Sequence, residues 1–145
     1  MDENIKKFSV TSTGPSGITS QWVNRLKDKV CDDMKMSIPE EFAGPGKTYS
    51  PEDLYALSLM NCYFATFKYI AEKSKLQYDS IDGVATLNVG KGDRNSLWME
   101  SIEIKIKLIG CANIERALNM MEKTKTQCMI INSVNTKVNF EFLAE

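Results

Sequence analysis

The run from Leu54 to Ala71 constrains this chain more than any other stretch. It spans 18 residues and carries one charge, Lys68. Ser50-Pro51-Glu52-Asp53 stands immediately before it. Each of those four residues suits the start of a helix. A serine hydroxyl can accept from an unpaired first-turn amide. Proline at the first helical position gives up an N–H that has no partner there. Two acids then meet the positive end of the helix dipole. The segment from Ser50 to Lys73 is therefore expected to be one long helix. A helix that is apolar nearly all round is a buried helix. Its length borders on that of a membrane span, but Ser58, Asn61, Thr66 and Lys68 fit poorly in lipid. Near the middle of this helix sits a thiol, Cys62.

Short alternating stretches surround the helix. Ile5, Phe8 and Val10 precede the turn cluster Gly14-Pro15-Ser16-Gly17. Residues 18–24 alternate, a turn is expected at Arg25-Leu26-Lys27-Asp28, and Lys29–Cys31 and Met34–Ile38 read as strand. Together they predict an N-terminal antiparallel meander. Pro39 to Thr48 is a Gly- and Pro-rich loop. Beyond the helix, Ala85, Leu87 and Val89 alternate with Val84, Thr86 and Asn88 up to a turn at Gly90–Asn95. Ile102, Ile104, Ile106 and Leu108 alternate with Ser101, Glu103, Lys105 and Lys107, the pattern of a half-buried strand. Asn113 can cap a second helix, whose Ile114, Ala117, Leu118 and Met121 share one face. That helix should end near Lys125. Val138, Phe140 and Phe142 make a last strand. The order predicts a single α+β domain over residues 1–145, with antiparallel sheets around a long buried central helix.

Composition narrows the chemistry. Histidine is absent, which removes Cys–His and Ser–His–Asp mechanisms and the usual base at neutral pH. The net charge is −1 and the basic residues are scattered, so neither a nucleic-acid footprint nor a polybasic membrane anchor is expected. Met1 to Lys7 lacks the basic-then-apolar order of a signal peptide, so a cytoplasmic location is expected. The four cysteines, at 31, 62, 111 and 128, form no C-x-x-C pair, which gives zinc little support. In a reducing compartment they are thiols unless one pair is catalytic.

The stretch Gly44-Pro45-Gly46-Lys47-Thr48-Tyr49-Ser50-Pro51-Glu52-Asp53-Leu54, running on to Asn61-Cys62, resembles the signature of the OsmC/Ohr family. In that family a Gly-rich loop leads into Ser/Thr/Asn-Pro-Glu-x-Leu, and a cysteine follows ten residues after the glutamate. Glu52 and Cys62 keep that spacing. Cys128 occupies the place of a second family cysteine, after the second helix and before the last strand. Family members carry Cys-Pro-x-Ser there, whereas this chain reads Cys128-Met129-Ile130-Ile131.

The resemblance implies an intertwined homodimer that reduces organic hydroperoxides in a stress response. By position Cys62 would be the attacking thiol and Cys128 the resolving one. An external dithiol such as lipoamide would regenerate them, with no bound cofactor or metal. The family pairs an arginine with the glutamate to favour the thiolate. Among Arg25, Arg94 and Arg116, the candidate by region is Arg25.

Elementary chemistry agrees with that requirement. Only a thiolate attacks the peroxide bond, so an ordinary thiol pKa near ~8.5 has to fall, and a guanidinium lowers it. Geometry adds a constraint. Glu52 and Cys62 are about 15 Å apart along one helix at ~1.5 Å per residue. A glutamate serving the Cys62 site would therefore come from a partner subunit. A second reading stays open: a dimer of this fold with weak or no peroxidase activity, binding a small apolar ligand at its interface.

Overall fold

The computed structural model describes residues 5–27 and 29–145. The long helix, α1, runs Pro51–Lys73. Its start is capped reciprocally. Ser50 Oγ accepts from the Asp53 N–H at 3.1 Å, and the Asp53 carboxylate accepts from the Ser50 N–H at 2.9 Å. Two first-turn donors are thereby satisfied. At the other end the Leu76 N–H returns to the Ala71 carbonyl at 2.9 Å, and Lys75 takes a left-handed conformation with φ 53°.

The chain divides into two compact units at Leu54 and Tyr55. The first holds a three-stranded sheet in the order β1 (Val10–Thr13), β2 (Trp22–Leu26), β3 (Met34–Met36). Both pairs are antiparallel, as the meander requires. Details differ from expectation. Arg25 and Leu26 do not turn; they extend β2 by pairing with Thr11 and Val10. Residues 18–20 belong to the preceding turn instead, where the Ser20 hydroxyl donates to the Gly17 carbonyl at 2.8 Å. Lys29–Cys31 lies outside any strand. Asp28, the end of the expected turn, falls outside the described residues, as do Met1–Asn4 of the chain start. In the Gly/Pro loop, the buried Ser37 hydroxyl donates to the Gly46 carbonyl at 3.0 Å, tying the loop across its base.

The second unit holds β4 (Ser80–Gly90), β5 (Trp98–Ile109), α2 (Ile114–Thr124) and β6 (Lys137–Ala144). β4 and β5 form an antiparallel hairpin. β6 runs parallel to β5, so this sheet is mixed rather than wholly antiparallel. The cause is α2: a helical connection carries the chain back along the sheet, and a strand after such a crossover is parallel to the one before it. Asn113 caps α2 as expected, its side chain accepting from the Arg116 N–H.

Leu59, Tyr63, Phe67 and Ala71 recur every fourth residue and form the buried stripe of α1. They share a core with Ile102, Ile104, Ile106, Leu108, Ala117 and Met121. Each large aliphatic there contributes roughly 1.5–3 kcal/mol by leaving water. Burial of α1 is one-sided: Asn61, Ala65 and Tyr69 face outward. Gly83 makes room for this packing. A Cβ on it would stand 2.8 Å from both Met60 Sδ and a Phe64 ring carbon.

Candidate active site

Cys62 lies on α1, one residue before the buried stripe member Tyr63. It is half-buried. Cys128 ends the 3-10 turn Lys125–Gln127 that continues α2, and it is fully buried. Distant in sequence, Cys62 is close enough to Cys128 to raise its pKa. Burial pushes the Cys128 thiol up to about 11; the nearby Thr66 side chain pulls the other way, and the neighbouring Cys62 adds to the rise. Cys128 is therefore protonated at neutral pH. Its S–H faces the Thr124 carbonyl, with sulfur and oxygen 3.4 Å apart.

Two further groups complete the surroundings. Thr66, one turn after Cys62, donates its hydroxyl to the Cys62 carbonyl at 2.8 Å. The Ile130 N–H donates to Cys62 Sγ at 3.4 Å. Sequence reasoning passed over both. Thr66 left a signal, because i, i+4 positions share a helix face. A main-chain donor leaves none, since every non-proline residue carries one.

The other expected site residues lie in the first unit. Glu52 is in the opening turn of α1, and its Oε2 is buried without a hydrogen-bond partner among the described residues. Arg25 sits on β2, where its Nε donates to both carboxylate oxygens of Asp33, at 3.0 and 2.9 Å. Of the remaining cysteines, Cys31 is exposed, and Cys111 follows β5 with its N–H on the Glu145 carbonyl.

A capped helix carrying Cys62, a mixed sheet and a buried Cys128 brought beside Cys62 make a specific arrangement. The family model for OsmC-like protein matches residues 44–142. The chain belongs to the OsmC-like protein family.

Solved OsmC-like structures share its fold at low identity. An OsmC-like protein of unknown function from Vibrio cholerae is 16% identical with a TM-score of 0.83, over 95% of this chain and 99% of that one. An OsmC-like protein from Mycoplasma pneumoniae is 15% identical with a TM-score of 0.77, over 100% of both chains. An organic hydroperoxide resistance protein OsmC from Legionella pneumophila is 14% identical with a TM-score of 0.72, over 97% and 99%. No curated protein matches the sequence. In the OsmC-like fold of this chain, no helix among the described residues is long and apolar enough to cross a membrane.

Proposed function

We propose that this OsmC-like chain is a thiol-dependent peroxidase that reduces organic hydroperoxides, with Cys62 as nucleophile and Cys128 as resolving thiol. The observation that carries the reading is that the segment of Cys128, at the end of α2, meets Cys62, in the middle of α1: the Ile130 N–H, two residues after Cys128, donates to Cys62 Sγ at 3.4 Å. A fully buried, protonated Cys128 fits the waiting partner. The more exposed Cys62 fits the sulfur that meets substrate.

The steps balance as follows. The Cys62 thiolate attacks the terminal oxygen of R–O–OH. An S–O bond forms, the O–O bond breaks, and the departing alkoxide takes a proton to become an alcohol. Cys62 is oxidised by two electrons to a sulfenic acid, which lies on the reversible part of the oxidation ladder. The Cys128 sulfur then attacks the Cys62 sulfur. The S–S bond forms, S–O breaks, and water leaves with the Cys128 proton. An external lipoamide-like dithiol returns both thiols by exchange. In this reading the protein works in the cytoplasm, where such thiols are kept reduced.

A homodimer belongs to the proposal. Glu52 has a buried carboxylate oxygen with no partner among the described residues, and a buried polar atom calls for one. Paired with an arginine, Glu52 of the partner subunit would hold the cation that favours the Cys62 thiolate. Arg25 is the candidate for that cation.

The deciding experiment follows consumption of tert-butyl hydroperoxide with dihydrolipoamide. Wild type should turn over and Cys62→Ser should lose about 10²-fold or more, as loss of a nucleophile does. Equal, low rates in both would overturn the reading. Arg25 engaged by Asp33 favours the second reading, a weakly active dimer that holds a small apolar ligand at its interface.

A further inference from the structure

The segment after Cys128 departs from the family pattern, yet it touches the Cys62 sulfur. Its hydrogen bonds explain how. The Asn132 N–H closes on the Cys128 carbonyl at 2.9 Å, and the Ser133 N–H closes on the Ile130 carbonyl at 3.0 Å. The Asn132 side-chain amide donates to the Thr126 carbonyl at 2.9 Å, anchoring the turn to the end of α2. Within this turn the Ile130 N–H has no carbonyl to meet. It donates to Cys62 Sγ instead.

The same peptide plane is held at its other end. The Ser133 hydroxyl donates to the Met129 carbonyl at 2.8 Å. That carbonyl and the Ile130 N–H belong to one planar, trans peptide unit and point in opposite directions. Ser133 pulls on the oxygen side while Cys62 accepts on the nitrogen side. Rotation of the plane would cost both bonds together.

We propose that the Ile130 backbone N–H is a catalytic donor to the Cys62 sulfur, and that Ser133 is the positioning residue that aims it. An N–H···S contact is weak for a neutral thiol and strengthens when the sulfur becomes an anion, as charge-assisted hydrogen bonds do. The donor therefore favours the form of Cys62 that attacks. The inference rests on Cys62 being the reactive thiol of the proposed function.

The test reads Cys62 alkylation by iodoacetamide in the reduced full-length chain, resolved by peptide mass spectrometry. Exposed Cys31 serves as the internal reference. Ile130→Pro removes the N–H, and the native φ of −65° at Ile130 suits a proline ring. Ile130→Ala shortens the side chain and keeps the N–H. Ile130→Pro should slow Cys62 alkylation at neutral pH by about tenfold, the scale of one hydrogen bond to a charged group. Its rate-against-pH curve should lie to higher pH than that of Ile130→Ala. Ile130→Ala should stay within about twofold of wild type, since its donor is intact. Equal curves for the two variants would overturn the proposal.

Should Ile130→Pro fail to fold, Ser133→Ala against Ser133→Thr decides the matter. The alanine variant should slow Cys62 and the threonine variant should restore it; equal rates refute the donor's role. Alkylation needs no hydroperoxide. A slowed Ile130→Pro in a protein without peroxide turnover would sustain this inference while removing the proposed function.

Discussion

The Tyr63 hydroxyl donates to the Met121 carbonyl at 2.9 Å, in a site where both residues are fully buried. This bond ties α1 to α2, the two elements that present Cys62 and Cys128. Tyr63→Phe keeps the ring against Phe140 and Phe142 but removes the bond from its hydroxyl to α2. Stability should fall by about 0.5–1.5 kcal/mol, the net worth of one intramolecular hydrogen bond. Urea unfolding of the two proteins measures it; an unchanged midpoint would show that the bond adds nothing beyond the ring's packing.

Alkaline stability should report the buried thiol. Cys128 titrates near 9.0 when free and is pushed up to about 11 here. Its folded-state pKa is raised, so its contribution is fully present below pH 9. Above that, the unfolded chain gives up a proton that the folded chain keeps. The contribution is lost as pH climbs from 9 to 11, on the order of 3 kcal/mol for such a shift. Thermal melts across that range should show a steeper decline for wild type than for Cys128→Ala. Parallel declines would mean that other groups carry the alkaline transition.

Thr66 should govern the resolving step. Its side chain lowers the Cys128 thiol's pKa, opposing burial. Thr66→Val removes that hydroxyl, so Cys128 becomes a poorer nucleophile. After one equivalent of hydroperoxide, the Cys62 sulfenic acid should persist longer and be trapped by dimedone in greater yield. Thr66→Ser should behave like wild type. Identical trapping in all three proteins would remove Thr66 from the step.

The helix start offers a simpler check. Ser50→Ala loses the bond from the Asp53 N–H and the one donated to the Asp53 carboxylate. The loss should be about 1 kcal/mol, the usual value of an N-cap hydroxyl. Equilibrium unfolding measures it, and Ser50→Thr, which keeps the hydroxyl, should recover most of the difference.

Those residues were also where the chain was most legible. Ser50-Pro51-Glu52-Asp53 announced a helix start because each residue satisfies a first-turn requirement by its own chemistry. The row Ile102, Ile104, Ile106, Leu108 announced a strand because burial on one face imposes a period of two. Residues 18–31 were harder. Both faces of β2 carry mixed polarity, and its extent depends on pairing with Val10 and Thr11, which no local pattern encodes. The direction of β6 was likewise hidden, since alternation is the same in parallel and antiparallel strands. At the site, the spacing of Glu52 and Cys62 and the position of Cys128 carried the family resemblance. The approach of the two thiols comes from how α1 and α2 pack on one sheet, and the hydrogen bond to Cys62 comes from a backbone amide.

That amide gives the chain latitude. A contact made through the main chain is indifferent to the side chain that happens to hang from it. The positions following Cys128 can accept methionine and isoleucine, or other residues, without withdrawing the donor from the sulfur. Among substitutions at 130 itself, only proline removes it. A stretch that looks eroded when spelled in side chains can therefore stay intact when read in peptide bonds.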